Sequence, residues 1–326
     1  MTSEFCLFDT QSKRVIWEIT RRCNYHCKHC CSRAGAVNVQ DGISTTRALE
    51  LLEEMHNAGI KSIYISGGEP FIRPDIFQIL EYAQKYNFEV NISTNGSLLT
   101  DSFVEKLKCS SIRKIHISLD SIFEDDFNFF RGGNYYKQTL SSIDKIVNAS
   151  LYLRVGIVLW KRNLSQIESM ITFLANKHVN EVVFNWPIRV GRLADNDDLI
   201  PPYDSFVETT KLIRSLQQKF WGKILISMHR NKEFLASSHS CPAGEDIFYI
   251  NSEGILSVCS WLAKLNYALP QFSLKNNSFT ELIKKTEFIT FRHQIHEREL
   301  KFGSGCPAMC IEKSGNFYSI DPLLIC

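Results

Sequence analysis

The 326-residue sequence lacks the features that mark membrane-spanning, exported or strongly charged proteins. No run of about eighteen apolar residues occurs, so we expect no membrane-spanning helix. The stretch MTSEFCLFDTQSKR has no charged start followed by an apolar segment, which argues against a signal peptide. The formal net charge is +2, and no basic run is interleaved with aromatic residues, so neither nucleic acid nor an anionic membrane is an expected partner. We therefore predict a cytoplasmic protein.

Cysteine, by contrast, is abundant, with eleven residues. An odd number in a long chain without an export signal argues against a disulfide framework and favours metal or redox chemistry. In the run CNYHCKHCC, Cys23, Cys27 and Cys30 have the spacing C-x3-C-x2-C. Three thiolates suit three corners of an iron–sulfur cube and leave one iron without a protein ligand, whereas four cysteines would saturate it.

Two further features of this run bear on its chemistry. His26 and His29 lie among the cysteines, so a mixed Cys/His zinc site is an alternative. Cys31 directly follows Cys30, and because adjacent side chains point in different directions we do not expect it to be a ligand. An iron–sulfur site with three cysteine ligands is the preferred interpretation.

The chain alternates β-rich runs with amphipathic segments, which predicts βαβ units and an α/β fold with a parallel sheet. Such a sheet is either barrel-like or doubly wound, and in both cases ligands gather at the carboxyl ends of the strands. Helices are predicted at about 44–58, 74–86, 100–108, 137–149, 164–177 and 204–220. Strands are predicted at Val15–Thr20, Ser62–Ser66, Glu89–Thr94, Lys114–Leu119, Leu153–Leu159 and Glu181–Trp186.

Polar or glycine-rich motifs follow the first four predicted strands. The cysteine run follows the first strand, SGGEP the second, STNG the third and SLDS the fourth. Because the ends of parallel strands meet at one edge of a sheet, these four loops predict a single site.

The cysteine run followed by SGGEP resembles the radical S-adenosylmethionine (SAM) superfamily, over roughly residues 12–230. The resemblance implies a partial (β/α)6 TIM-like barrel that holds a [4Fe-4S] cluster on Cys23, Cys27 and Cys30. It implies SAM as a second cofactor, bound at the open iron and reductively cleaved to a 5′-deoxyadenosyl radical that abstracts a substrate hydrogen. It also implies an electron donor such as flavodoxin or ferredoxin.

The resemblance also assigns residues to SAM binding. Glu69 is expected to accept a hydrogen bond from the methionine ammonium, and the neighbouring glycines to allow close backbone approach. Arg131 matches a position near SAM, although a solvated arginine is an equally good interpretation. A helix cap is the alternative for Asn95, and a polar turn is the alternative for Ser118 and Asp120. The expected SAM-contacting residues are Gly67, Gly68, Glu69, Pro70, Asn95, Ser118 and Asp120.

A second set of cysteines lies beyond the last predicted strand. Cys241 and Cys259 bracket a glycine as C-x12-G-x4-C around a predicted β-hairpin that turns at Asn251–Gly254. Cys306 and Cys310 follow as C-x3-C. A structural zinc ribbon is one interpretation of this set. The isolated thiols, Cys6 and Cys109, are expected to be buried and not ligands.

This second set resembles the SPASM/twitch extension of radical SAM enzymes, which implies domains at residues 1–230 and 231–326. Two cysteines of a full SPASM domain are missing before Cys306, so we expect one auxiliary [4Fe-4S] cluster. Its expected ligands are Cys241, Cys259 and Cys310, with Cys306 as the fourth in preference to Cys326.

The substrate is less constrained than the cofactors. The resemblance favours post-translational modification of a ribosomally made peptide by crosslinking, epimerisation or oxidation. Only 22 residues precede Cys23, so we expect any leader-peptide recognition module to be a separate protein. The alternatives are oxidation or rearrangement of an aminocyclitol, sugar or tetrapyrrole, and a non-catalytic Fe–S or zinc protein. Arg189 and Arg192 are expected at the cavity mouth, where they bind either a substrate anion or surface carboxylates.

Overall fold

The computed structural model describes residues 13–35, 40–229, 241–267 and 271–322. A parallel sheet forms its first part, and its strands stand side by side in chain order. The six predicted strands are confirmed as β1 to β6, and a seventh strand was not predicted. The strands are β1 (Arg14–Thr20), β2 (Ser62–Gly67), β3 (Glu89–Thr94), β4 (Ile112–Ser118), β5 (Leu153–Val158), β6 (Glu181–Asn185) and β7 (Leu225–His229).

The helices that connect these strands also lie close to the predicted positions. Because the strand order never reverses, right-handed crossovers place every connecting helix on the same side of the sheet. A singly wound sheet of this kind curls into a barrel, and the predicted partial TIM-like barrel is confirmed. The helices are α1 (Thr45–Asn57), α2 (Ile76–Lys85), α3 (Asp101–Lys108), α4 (Glu124–Arg131), α5 (Tyr136–Asn148), α6 (Ile167–Asn176) and α7 (Ser205–Lys219).

The two faces of the sheet differ in chemistry. On β2, Ile63 and Ile65 are buried under the helices, whereas Tyr64 and Ser66 point to the other face and are only half-buried. Side chains alternate along a strand, and β3 and β4 show the same division, whereas β5 and β6 are buried along almost their whole length. On β2 to β4 the outer face is therefore apolar core, and the inner face carries half-buried, mostly polar side chains.

Helix α4 was not predicted, although its sequence carries the usual signals. Glu124, Asp125 and Asp126 occupy its first turn, where acidic side chains interact favourably with the helix dipole. Gly132 ends the helix with φ of 76°, the left-handed conformation that favours glycine. The helix has only eight residues, so Phe127 and Phe130 supply a single repeat at helical spacing, which is too little for periodicity to indicate a helix.

The C-terminal part extends the same sheet. Strand β8 (Ile247–Ile250) pairs in parallel with β1, from Arg14 opposite Ile247 to Trp17 opposite Ile250. The predicted hairpin is confirmed, since β8 pairs antiparallel with the next strand, and the predicted boundary at residue 230 lies outside the described residues. The further elements are β9 (Ile255–Ser257), α8 (Ser260–Lys264), β10 (Gln271–Ser273), α9 (Phe279–Leu282), α10 (Thr286–Phe302) and α11 (Pro307–Ser314).

A helix that crosses a bilayer must be both long and predominantly apolar. Among the described residues, no helix combines these two properties.

Candidate active site

The three cysteines of the first run share one loop after β1. Cys23 and Cys27 are buried, Cys30 is half-buried, and all three are free thiols. Cys23 lies within electrostatic range of both Cys27 and Cys30, so the three side chains converge. Burial raises the pKa of the Cys23 thiol to about 12, and thiolates held in such surroundings need a positive charge to compensate them. The donor set thus fits a cationic iron–sulfur core.

Hydrogen-bond donors surround these sulfurs. The backbone N–H of Tyr25 and the side-chain amide of Asn95 lie 3.4 Å and 3.9 Å from Cys23 Sγ. Arg131 Nη1 lies 3.7 Å from Cys27 Sγ. Donors directed at sulfur stabilise anionic thiolate ligands, and they tune the reduction potential of an iron–sulfur cluster.

Cys31 and His29 have their main contacts outside this set of three thiols. Cys31 lies beside Lys264 and Glu18. His29 stacks on Phe130 with ring centroids 4.1 Å apart, and burial holds the pKa of its imidazole well below its usual range. Considering residues 13–35, 40–229, 241–267 and 271–322, we find no group of three or more His, Cys, Asp or Glu side chains arranged to hold a single metal ion.

The SGGEP loop packs directly against the cysteine loop. Gly68 N–H donates to the carbonyl of Thr20 and Glu69 N–H to that of Arg22, both at 2.8 Å. A Cβ atom on Gly67 would lie 2.3 Å from the Thr20 oxygen, and one on Gly68 would lie 2.0 Å from the Arg22 oxygen. The structure thus gives both glycines a packing role: they allow the two loops to approach closely.

Glu69 is fully buried and connects the ends of β2 and β3. Its carboxylate accepts hydrogen bonds from Thr94 Oγ1 at 2.8 Å, from Phe71 N–H at 3.1 Å and from Asn95 N–H at 2.7 Å. Burial raises the pKa of this carboxyl to about 7, although the three hydrogen bonds act in the opposite direction. Pro70 begins the short 3₁₀ helix Pro70–Ile72 beside it. The predicted contact with a SAM ammonium stays a prediction.

The remaining predicted SAM contacts occupy different environments. Asn95 Nδ2 donates to Asn24 Oδ1 at 2.9 Å, at the edge of the cysteine loop. Ser118 is half-buried on the inner face at the end of β4. Asp120 is fully buried, with Oδ2 at 2.5 Å from Arg131 Nη2, and its Oδ1 accepts from Val158 N–H at 2.7 Å. The structure therefore shows Asp120 anchoring an arginine inside the protein.

The second set of cysteines converges in part. Cys259 and Cys306 are the sulfur neighbours that act on Cys241, whose pKa burial raises to about 12. Cys310 is buried in α11, and its sulfur lies 3.0 Å from Arg298 Nη2 and 3.3 Å from the Ser319 carbonyl oxygen.

The other cysteines are isolated or outside the structure. Cys109 is exposed at the end of α3, so the prediction that it is buried is wrong for this residue. Cys6 and Cys326 lie outside the described residues.

Comparison with known proteins agrees with this site. The Radical SAM superfamily profile matches residues 17–174. An AdoMet-dependent heme synthase from Methanosarcina barkeri is 25% identical, and the similarity covers 97% of each chain. Mycofactocin maturase MftC from Mycobacterium tuberculosis is 27% identical over 50% of this chain and 42% of its own.

Solved structures share the fold over almost the whole chain. Streptococcus suis SuiB bound to precursor peptide SuiA has a TM-score of 0.77 at 14% identity, covering 95% of this chain and 75% of that one. Native anSMEcpe with bound AdoMet has a TM-score of 0.72 at 14% identity, covering 95% and 93%. The profile match identifies residues 17–174, which carry the cysteine and SGGEP loops, as a radical SAM domain. The protein is a radical SAM enzyme, and its cofactors are a [4Fe-4S] cluster and SAM.

Proposed function

We propose that this enzyme modifies a ribosomally made peptide, with Cys23, Cys27 and Cys30 holding the [4Fe-4S] cluster at which SAM is cleaved. The observation that carries the assignment of the cluster is the convergence of three thiols, of which Cys23 and Cys27 are buried and face hydrogen-bond donors. When bound, the cluster and SAM supply a radical that abstracts hydrogen. The loops carrying Glu69, Asn95 and Ser118 surround this position at the same edge of the sheet.

The inner face supports a peptide substrate. Its half-buried side chains are largely hydroxyl and amide groups, which pair with peptide N–H and C=O groups without a charge. They include Tyr64, Ser66, Ser93, Ser118 and Asn185.

Four basic side chains on and near this face contact carboxylates, whereas Arg192 Nε donates to the Cys27 carbonyl at 2.7 Å. Arg154 and Lys114 lie 2.7 Å and 3.4 Å from Glu181, and Lys264 contacts Glu18. At the rim, Arg189 contacts Asp197 at 3.0 Å, which favours the surface-carboxylate interpretation of this arginine. A substrate with several carboxylates would require cations that are not committed in this way, so this arrangement favours an uncharged backbone.

A second candidate is modification of a haem-type tetrapyrrole. The observation in its favour is similarity along the full chain to relatives named AdoMet-dependent heme synthase. The MftC similarity covers only half of this chain, and the likeness to SuiB is one of fold.

The experiment begins with anaerobic reconstitution of the enzyme and addition of SAM under reducing conditions. Formation of 5′-deoxyadenosine is expected, and Cys27→Ala should abolish it. Short peptides encoded beside the gene and Fe-coproporphyrin III are then added separately, and each is analysed by mass spectrometry. A peptide mass change coupled to 5′-deoxyadenosine supports the proposal. Turnover of the porphyrin with no peptide modified would favour the second candidate instead.

A further inference from the structure

Helix α4 ends directly on the cysteine loop. Lys28 N–H donates to the carbonyl of Phe130 at 2.9 Å. A Cβ atom on Gly132 would lie 2.4 Å from the carbonyl oxygen of His26, so the end of the helix and the loop are in tight backbone contact. Tyr135 stacks on Tyr25 with ring centroids 3.6 Å apart. The position of the last helical residue, Arg131, is therefore fixed relative to the thiols.

The Arg131 guanidinium lies between a thiol and a carboxylate. Its Nη1 faces Cys27 Sγ at 3.7 Å, and its Nη2 faces Asp120 Oδ2 at 2.5 Å. The arginine side chain is 7% exposed and Asp120 is fully buried. A guanidinium keeps its charge under all physiological conditions, so this cation is permanent and poorly screened by water.

Asp120 is also held in place by hydrogen bonds from three other residues. Its Oδ1 accepts from Val158 N–H at 2.7 Å, and its carbonyl oxygen accepts from Asn163 Nδ2 at 2.9 Å and from Trp160 Nε1 at 3.3 Å. These contacts tie Asp120 to the start of the loop after β5. The carboxylate cannot follow the arginine into another position without breaking them.

We propose that Arg131 raises the reduction potential of the cluster on Cys27 and that the Asp120 carboxylate moderates this effect. This inference rests on the proposed assignment of Cys27 as a ligand. One-electron reduction adds negative charge to the cluster, and a fixed cation at a ligand sulfur stabilises the reduced form relative to the oxidised one. The Asp120 carboxylate opposes this effect from the far side of the guanidinium.

The charge arrangement predicts shifts of opposite sign for two substitutions. Arg131→Gln removes the cation and leaves the carboxylate, so the midpoint potential should become more negative. Asp120→Asn removes the opposing anion and retains an acceptor for Val158 N–H, so the potential should become less negative. Arg162→Gln is the matched control. Arg162 also pairs with a carboxylate, Asp126 of helix α4, at 3.3 Å, but its side chain is more than half exposed. The Arg162→Gln variant should keep the wild-type midpoint potential.

The measurement is a redox titration of the SAM-responsive EPR signal in the reconstituted full chain, together with iron content. Opposite shifts at full iron content support the proposal. Equal potentials, or shifts of one sign, would overturn it in favour of a structural role. If Arg131→Gln loads too little iron to titrate, Asp120→Asn decides alone, and a potential that is unchanged or more negative refutes the proposal. A wild-type chain without any SAM-responsive signal would instead remove the proposed function, and this inference with it.

Discussion

Replacing Gly68 by alanine tests whether the close contact between two loops builds the site. The φ angle of Gly68 lies outside the left-handed range, so its backbone conformation alone would accept alanine. The added Cβ would, however, lie 2.0 Å from the carbonyl oxygen of Arg22 and 2.7 Å from its carbonyl carbon. Both obstructing atoms belong to the backbone, so no side-chain rotation relieves the overlap, and the loops must separate by about 1 Å or more.

That separation weakens the two hydrogen bonds that join the loops, from Gly68 N–H to Thr20 and from Glu69 N–H to Arg22. Leaving buried backbone groups unpaired and overpacking the contact together cost about 2–5 kcal/mol. Since Arg22 immediately precedes Cys23, the displacement also reaches the first thiol. We therefore expect Gly68→Ala to lower both the free energy of unfolding, measured with urea, and the iron bound per chain after anaerobic reconstitution.

Gly59→Ala is the control for the general effect of losing a glycine. Gly59 has φ of 80°, and a Cβ added to it would have no atom within 4 Å, so the substitution adds backbone strain of about 1–2 kcal/mol and no clash. It should leave iron binding unchanged. Wild-type stability and full iron content in Gly68→Ala would show that the loop contact is not as tight as the structure indicates, and the explanation of the motif would fail.

Three further predictions concern buried charges and the second set of thiols. The pKa of Glu69 is about 7 in the fold, compared with an ordinary value of 4.5. Because the folded chain keeps a proton that the unfolded chain releases, the free energy of unfolding should fall by about 3 kcal/mol as the pH rises from 4.5 to 7. Glu69→Gln should flatten this pH dependence in urea titrations. Lys264→Met should cost about 3–5 kcal/mol in thermal unfolding by leaving Glu18 buried without its partner, and adding Glu18→Gln should restore most of it. Cys306→Ser should lower bound iron more than Cys310→Ser, because Cys306 lies within electrostatic range of Cys241, whereas the Cys310 sulfur contacts Arg298 and the Ser319 carbonyl; equal losses would contradict this.

The placement of the main loops could be predicted because it depends on local patterns. Strands of five to seven residues separated by amphipathic helices determine a parallel sheet, and parallel strands present their carboxyl ends at one edge. Cys23, Gly67 and Asn95 therefore come together at the edge that the sequence indicates. No knowledge of packing is needed for this step.

The partners of individual side chains could not be predicted in the same way. Asp120 in SLDS follows a strand and is typical of a polar turn or a ligand contact. Its actual partner, Arg131, comes from the end of a helix that the hydrophobic pattern did not indicate. The contact depends on where α4 docks, which is a tertiary property.

The C-terminal part shows a related limit. The spacing around Gly254 predicts the β8–β9 hairpin, because turn residues act locally: Asn251 Oδ1 accepts from the N–H groups of Glu253 and Ile255. Nothing local specifies that β8 then pairs with β1. Likewise, Cys306 and Cys310 are four residues apart, but Cys306 precedes the first residue of α11 and Cys310 lies inside the helix, so their sulfurs face different neighbours.

The pairing of β8 with β1 has a consequence for the chemistry between the two cysteine sites. The first site follows the carboxyl end of β1, whereas Cys241 precedes β8 and Cys259 follows β9, toward the opposite end of the paired strands. Seven residues of strand separate these ends by about 20 Å. Glu18, Lys264 and Tyr249 lie between them, with Lys264 Nζ 2.9 Å from the Tyr249 hydroxyl oxygen. A substrate on the inner face would therefore lie between the two sets of cysteines.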